Sequence, residues 1–321
     1  MSQFLSNCTA DAIANAAAHL VAGDLVAFPT ETVYGLGADA TNSQAVARIY
    51  SVKGRTNDHP LIVHIASMDR MGDWAQDVPE YAIALARSFW PGPMTLVLKR
   101  SEIARDFVTG GQDTVGLRVP DHAVALALLE AFEKMGGKGV AAPSANRFGH
   151  VSPTTAAAVT DELVNYLSRD DLILDGGVCH VGIESTIIDC TKVMPHVLRP
   201  GAITIGMIEE SIGRKAFKSD MPDAIRVSGS LENHYAPKAK VFLGDKTMPG
   251  QGFIAHANIE TPVGVIRLAS PQNDEEFAQV LYSSLREADA QGLKEVVVIQ
   301  PLGVGIAVAI RDRLARAANG R

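Results

Sequence analysis

The stretch Leu25-Val26-Ala27-Phe28-Pro29-Thr30-Glu31-Thr32-Val33-Tyr34-Gly35 decides how this chain is read. Its first four residues form a short apolar run that reads as a buried strand, and Pro29 ends it. In an extended continuation, Thr30, Thr32 and Tyr34 share one face, with Glu31 and Val33 on the other. Two hydroxyls and a phenol at a strand end suit a small zwitterion, although a turn capping its own backbone uses the same residue types. Three further strings interrupt apolar runs in the same way: Lys53-Gly54-Arg55, Ser144-Ala145-Asn146 and Leu198-Arg199-Pro200-Gly201. None is a glycine-rich phosphate loop, so together they point to a nucleotide site built from side chains.

Outward from these strings, the patterning predicts helices over 11–21, 43–52, 78–89, 123–135 and 154–167. It predicts strands over 61–65, 95–98, 115–119, 140–142, 172–174 and 185–189. Ser152 reads as the N-cap of the helix at 154, with Pro153 in its first turn. Strands and helices do not alternate strictly, which favours a mixed sheet. After Gly201 the composition shifts. Residues 215–230 have weak periodicity, and His234-Tyr235-Ala236-Pro237 closes a long linker of the kind that often carries function. Strands at 239–243, 252–255, 263–266 and 295–299, with amphipathic helices at 275–290 and 306–318, then describe a small α/β unit. Gly303-Val304-Gly305 before the last helix is half of a dinucleotide fingerprint, lacking its third glycine.

The chain has 321 residues, 47% hydrophobic and 20% charged, with a net charge of −7 and a pI near 5.7. That length favours two domains. The charge argues against a surface built to coat nucleic acid, because such binding rests on neutralising phosphates. Cys8, Cys179 and Cys190 are odd in number and form no CxxC, so buried thiols in a reducing compartment are expected. The first residues carry no signal-peptide pattern, and no apolar run is long enough to span a bilayer. Metal-ligand spacing and a nucleophile elbow are both missing.

Several cations need a reason. Lys53 and Arg55 end a helix, where they either complement its dipole or, facing solvent, clamp a triphosphate. His64 sits on a strand, where a hydrogen-bonded core histidine is the commoner reading. Arg118 lies on an apparently central strand opposite the apolar face. A guanidinium there is costly without a partner, and a ligand carboxylate or phosphate is expected, with a buried salt bridge as the alternative. Arg199 before Pro-Gly reads as a cation presented by a fixed turn.

As an ordered set, Phe28 to Gly35, Lys53-Gly54-Arg55, Trp90-Pro91-Gly92-Pro93, Ser144-Ala145-Asn146 and Leu198 to Gly201 make the chain resemble the two-domain threonylcarbamoyl-AMP synthases. Thr56 departs from the proline common there. The resemblance implies an α/β fold: a YrdC-like twisted mixed β-sheet with helices over 1–212, a linker acting as a lid over 213–239, and a small Rossmann-like α/β domain over 240–321. It implies that L-threonine, bicarbonate and ATP, the last with Mg²⁺, give threonylcarbamoyl-AMP and pyrophosphate for tRNA modification. Lys53 and Arg55 would be catalytic. They would bind ATP together with His59, Thr114, Ser144, Asn146, Ser152, Arg199 and Tyr235, while Thr32, Tyr34, His64, Arg118 and Ser185 would hold threonine. The expected partners are a downstream tRNA threonylcarbamoyl transferase complex and a weak RNA contact, with no membrane, in the cytoplasm. An RNA-binding module and a carbamoyl-adenylate domain with another acceptor are the rival classes.

Overall fold

The computed structural model describes residues 5–218, 225–227, 229 and 235–320. In chain order the strands are β1 (Leu5–Asn7), β2 (Val26–Phe28), β3 (Gly35–Asp39), β4 (Ile62–His64), β5 (Met94–Lys99), β6 (Thr114–Arg118), β7 (Val140–Ala141), β8 (Leu172–Asp175), β9 (Thr186–Asp189), β10 (His196–Arg199), β11 (Phe217–Lys218), β12 (Lys240–Leu243), β13 (Gly252–Ile254), β14 (Ile266–Ala269) and β15 (Glu295–Val298). The helices are α1 (Ala10–Ala22), α2 (Ser43–Lys53), α3 (Met71–Trp74), α4 (Glu80–Phe89), α5 (Asp106–Thr109), α6 (Ala123–Lys134), α7 (Ala156–Leu163), α8 (Ile205–Ile212), α9 (Asp274–Ala290) and α10 (Ile306–Asn319).

The first eleven strands form one mixed sheet in the order β1-β8-β2-β3-β7-β4-β6-β5-β9-β10-β11. The pairs β2/β3, β4/β7 and β5/β6 are antiparallel, whereas β4/β6 and β5/β9 are parallel. Alanine-rich α1 packs Ala16, Ala17 and Leu20 against Leu128, Leu129 and Phe132 of α6. Thr9 caps α1 by accepting from Ala12 N, and Gly23 stops it in the left-handed conformation. Buried Asp171 accepts from Leu25 N at 2.8 Å and from Arg48 Nη2 at 2.7 Å, which fixes the entry to β2 and so the loop that follows.

The last four strands form a separate sheet, all parallel, in the order β12-β15-β13-β14. Phe277, Leu281, Tyr282 and Leu285 of α9 share a core with Ile310 and Leu314 of α10 and with Val33, Val151 and Ile183 of the first domain. These two helices therefore lie between the second sheet and the first domain. The opposite face of the sheet buries Phe253, Ala255 and Val297 under the segment carrying Ile259 and Val265.

The structure corrects several expectations. Residues 29–34 are a turn rather than an extended face: Thr30 and Thr32 meet each other at the cleft, whereas Tyr34 points away from it. The helix expected from 154 begins at Ala156, with Thr155 as its N-cap accepting from Ala158 N, and Ser152 is not its cap. The strand expected at 263–266 forms at Ile266–Ala269, and Val263 is exposed. β11 pairs with β10, so the first sheet extends to Lys218, past the expected start of the linker.

Gly182 sits at the contact between the domains with φ +78, and a Cβ there would fall 2.4 Å from Gln279 Cα in α9. Gly182→Ala therefore strains the backbone and pushes α9 away. We expect a lower thermal midpoint and faster hydrogen exchange in α9. An unchanged midpoint would show that α9 tolerates displacement and that this contact does not fix the domains.

Candidate active site

The strand ends and loops of the first domain surround a narrow, partly open cleft. Its lining includes Thr30, Thr32, Lys53, Arg55, His64, Arg118, Ser144, Phe148, Glu184, Ser185, Arg199 and Tyr235. Each polar member is placed by a local feature. Parallel register sets His64 of β4 beside Arg118 of β6, at the same end of adjacent strands. The turn at 29–34 is held by a directed chain. Arg118 Nη2 donates to Thr32 Oγ1 at 3.0 Å, Thr32 Oγ1 donates to Thr30 Oγ1 at 2.8 Å, and Thr30 Oγ1 donates to Val33 O at 2.7 Å. Arg118 also forms an ion pair with buried Glu31 at 2.7 Å. The alternative reading of a buried salt bridge is thus present, while the guanidinium still lines the cleft.

Lys53 is the last residue of α2 and is only 3% exposed, which corrects the expectation that it faces solvent. Its Nζ donates to Ser144 O at 2.5 Å and Asn146 O at 2.6 Å, tying the helix end to the loop after β7. Burial, and then the charge of Arg55, hold the Lys53 ammonium well below its ordinary value. Arg55 is half-buried, with its guanidinium 6.0 Å from the Phe148 ring centroid and its buried Nε without a hydrogen-bond partner. Burial lowers it to about 10. Burial, followed by the Arg118 charge, lowers His64 to about 3, so its imidazole is neutral at any ordinary pH. Arg199, at the end of β10, donates from Nε and Nη2 to Ser185 O and from Nη2 to Ser185 Oγ at 3.1 Å. Ser185 Oγ in turn lies 2.8 Å from Thr95 Oγ1.

The second domain does not line the cleft, but it holds Glu184 of the cleft wall from behind. Glu184 Oε1 accepts from Ser152 Oγ at 2.7 Å, and its Oε2 accepts from Tyr282 Oη at 2.9 Å and Arg313 Nε at 2.8 Å. Arg313, fully buried, also donates to Pro200 O at 3.0 Å. Burial alone would raise the Glu184 carboxyl, but Arg313, Arg199 and the Ser152 hydroxyl outweigh it and hold it down at about 2. Tyr235, with φ +63, stacks on Tyr282 at 5.6 Å and lies under the Arg313 guanidinium at 5.4 Å. A Cβ on Gly229 would meet Tyr235 Oη at 2.3 Å, so Gly229 lies directly against the phenol end of this ring.

Lys53, Arg55, Ser144, Arg199, Tyr235, Thr32, His64, Arg118 and Ser185 therefore meet in one cleft. Others named from the sequence do not line it. Tyr34 Oη donates away to Gly177 O at 2.7 Å. Asn146 Nδ2 donates to Arg147 O and His150 O, and Ser152 stands behind Glu184. His59 packs 5.7 Å from Phe148 at the flank. Thr114 lines a smaller adjoining pocket with Gln112, Gly116, Arg226 and Val227. Linker residue His234 lies outside the described residues. Sequence reading gave no role to Glu31, Phe148, Glu184 or Arg313. Arg313 had a signal, since it falls on the buried stripe Ile306-Ile310-Arg313-Ala317 of α10, where a charge demands a partner.

The fold and this cleft define a class of two-domain α/β proteins. The Sua5_yciO_yrdC family model, described as "Telomere recombination", matches residues 18–201. A second model, described as "Threonylcarbamoyl-AMP synthase, C-terminal domain", matches 203–319. The threonylcarbamoyl-AMP synthase of Pyrococcus abyssi is 40% identical over 95% of this chain and 94% of its own length. That of Bacillus subtilis is 37% identical over 96% and 93%. The crystal structure of P. abyssi Sua5 complexed with L-threonine superposes with a TM-score of 0.87 at 35% identity, covering 98% of this chain and 97% of that one. The chain belongs to the threonylcarbamoyl-AMP synthase family.

Two outcomes follow from the geometry. Lys53→Ala leaves the buried Asn146 carbonyl and the half-buried Ser144 carbonyl without this donor, costing roughly 1–3 kcal/mol for a buried group left unsatisfied. Its thermal midpoint should fall clearly below that of Arg55→Ala, and equal midpoints would show that the Lys53 contacts carry no weight. Glu184 has a depressed folded value, so its contribution is present above the usual carboxylate range and is lost as pH falls toward about 2. The stability gap between wild type and Glu184→Gln should therefore narrow steadily from pH 5 down toward about pH 2, read by denaturant melts. A gap constant with pH would mean that the charge is not what holds the domains.

Proposed function

We propose that the chain makes threonylcarbamoyl-AMP from L-threonine, bicarbonate and ATP, releasing pyrophosphate. One observation carries this reading: Lys53, Arg55, Arg118 and Arg199 converge on a single cleft beside a neutral histidine and paired hydroxyls, in a chain of which 95% matches a synthase of this name. The threonine amine gives up a proton and combines with bicarbonate, losing water, to form a carbamate. A carbamate oxygen then attacks the α-phosphorus, and the bond to the β-phosphate oxygen breaks as pyrophosphate leaves. Such a transfer requires alignment and charge neutralisation, not a protein nucleophile.

In this reading, Arg118 takes the threonine carboxylate, with Thr32, His64 and Ser185 around it. Lys53, Arg55 and Arg199 face the phosphates, and Ser144 and Tyr235 flank the nucleotide. ATP enters as its magnesium complex. Among the described residues, the one carboxylate lining the cleft, Glu184, is committed to Ser152, Tyr282 and Arg313, which leaves the cation to the phosphates and water. Tyr235 and the linker exclude water from a labile mixed anhydride. A downstream tRNA-modifying transferase complex in the cytoplasm would consume the product, with at most a weak RNA contact here. No described helix is long and apolar enough to cross a membrane.

The test is pyrophosphate release with each substrate omitted in turn, alongside mass spectrometry of the product. Release should need both threonine and bicarbonate and give the threonylcarbamoyl-AMP mass. Turnover indifferent to threonine would overturn the reading and favour a carbamoyl-adenylate domain with another acceptor.

A further inference from the structure

Glu31 is 1% exposed and does not line the cleft, yet its Oε1 lies 2.7 Å from Arg118 Nη2. The contact is one of charge. Neither Glu31 oxygen has a hydrogen-bond partner among the described residues, and the Arg118 donors go to Thr32 Oγ1 and Gly92 O. A dry carboxylate accepting no hydrogen bond is costly, and nothing in the turn requires it, because Thr30 and Thr32 close that turn without it. The titratable groups nearby do not offset it. His64 is lowered to about 3 by burial and the Arg118 charge, burial keeps His122 below its ordinary value, and burial pushes the Cys179 thiol up to about 12. Arg118 and Glu31 thus form a locally neutral pair with the cation toward the cleft and the anion behind it.

We infer that Glu31 is a specificity-determining residue that makes the Arg118 subsite accept a zwitterionic amino acid and turn away a bare carboxylate. The inference rests on the reading of this cleft as the threonine site. A carboxylate reaching Arg118 meets a guanidinium already neutralised, and it feels the field of Glu31 in a medium of low dielectric. An amino acid brings its own ammonium, which offsets that repulsion, whereas an anion of the same shape has nothing to offset it. Bicarbonate and free hydroxy acids are then kept from occupying the amino-acid position, without any steric barrier.

The experiment measures the affinity of the full chain for L-threonine and for β-hydroxybutyrate, which keeps the carboxylate and hydroxyl but lacks the ammonium. Titration calorimetry is run on wild type, Glu31→Gln, Glu31→Ala and Glu31→Asp. Wild type should prefer threonine strongly. Both neutral variants should narrow that preference by about tenfold, mainly through tighter β-hydroxybutyrate binding, while Glu31→Asp keeps it. A merely structural role would weaken both ligands together and leave their ratio alone, and that result would overturn the inference. Two neutral variants guard against one failing to fold. A wild type that binds no threonine would defeat the reading of the cleft and this inference together. A wild type that binds it, with an unmoved ratio in the variants, would defeat the inference alone.

Discussion

The Glu184–Arg313 ion pair is the contact on which the rest of the site depends. Each partner is almost fully buried, and Glu184 without Arg313 would be a buried charge lacking its ion-pair partner, while Arg313 is also paired with Asp312 at 2.5 Å. Together they are saturated, by Ser152, Tyr282 and the carbonyl of Pro200. Such a pair adds little net stability over an apolar contact, but removing one partner costs roughly 3–5 kcal/mol. Its value here is positional. It allows one register of α10 against the first domain, and in that register Arg313 and Tyr282 become the seat of Tyr235. A surface of leucines would hold the domains together equally well, yet it would allow them to slide.

The layout of the fold was largely legible because its long helices and apolar runs are periodic. What was missed has physical causes. β3, Gly35–Asp39, carries two glycines and an aspartate, so its strand character comes from its neighbours β2 and β7 rather than from its own residues. β10 was hidden inside Leu198-Arg199, read as a turn because Pro200-Gly201 follows at once. Ser152 looked like a helix cap, since Ser-Pro-Thr is the usual pattern for one. Glu184, 32 residues away, takes its hydroxyl, and Thr155 caps the helix in its place.

The site was legible wherever its residues sit in short strings at strand ends, because loops there are free to carry function. His64 and Arg118 could be named singly, but their pairing depends on the parallel register of β4 and β6, which no local pattern encodes. The environment of Lys53 was misjudged for a related reason. A lysine at a helix end normally reaches water, and only the loop carrying Ser144 and Asn146 folds back to cover it. Arg313, 129 residues from Glu184, lay beyond any string-based reading except for its place on an apolar stripe.

The cleft gathers Lys53, Arg55, Arg118 and Arg199 within a small volume in a chain of net charge −7, and it must do so without flying apart. Each cation is restrained by a different device. Lys53 is tethered to carbonyls, and burial holds its ammonium below its ordinary value; Arg118 is neutralised from behind by Glu31; Arg199 is spent on Ser185; and Arg55 lies near Phe148, where solvent still reaches it. A site in which all four were paired with carboxylates would repel ATP, and one in which none was paired would not fold. Tethers to neutral oxygen keep the donors oriented while leaving their positive potential to the ligand. In a reaction that neutralises a leaving pyrophosphate, that preorganised potential is what the protein has to supply.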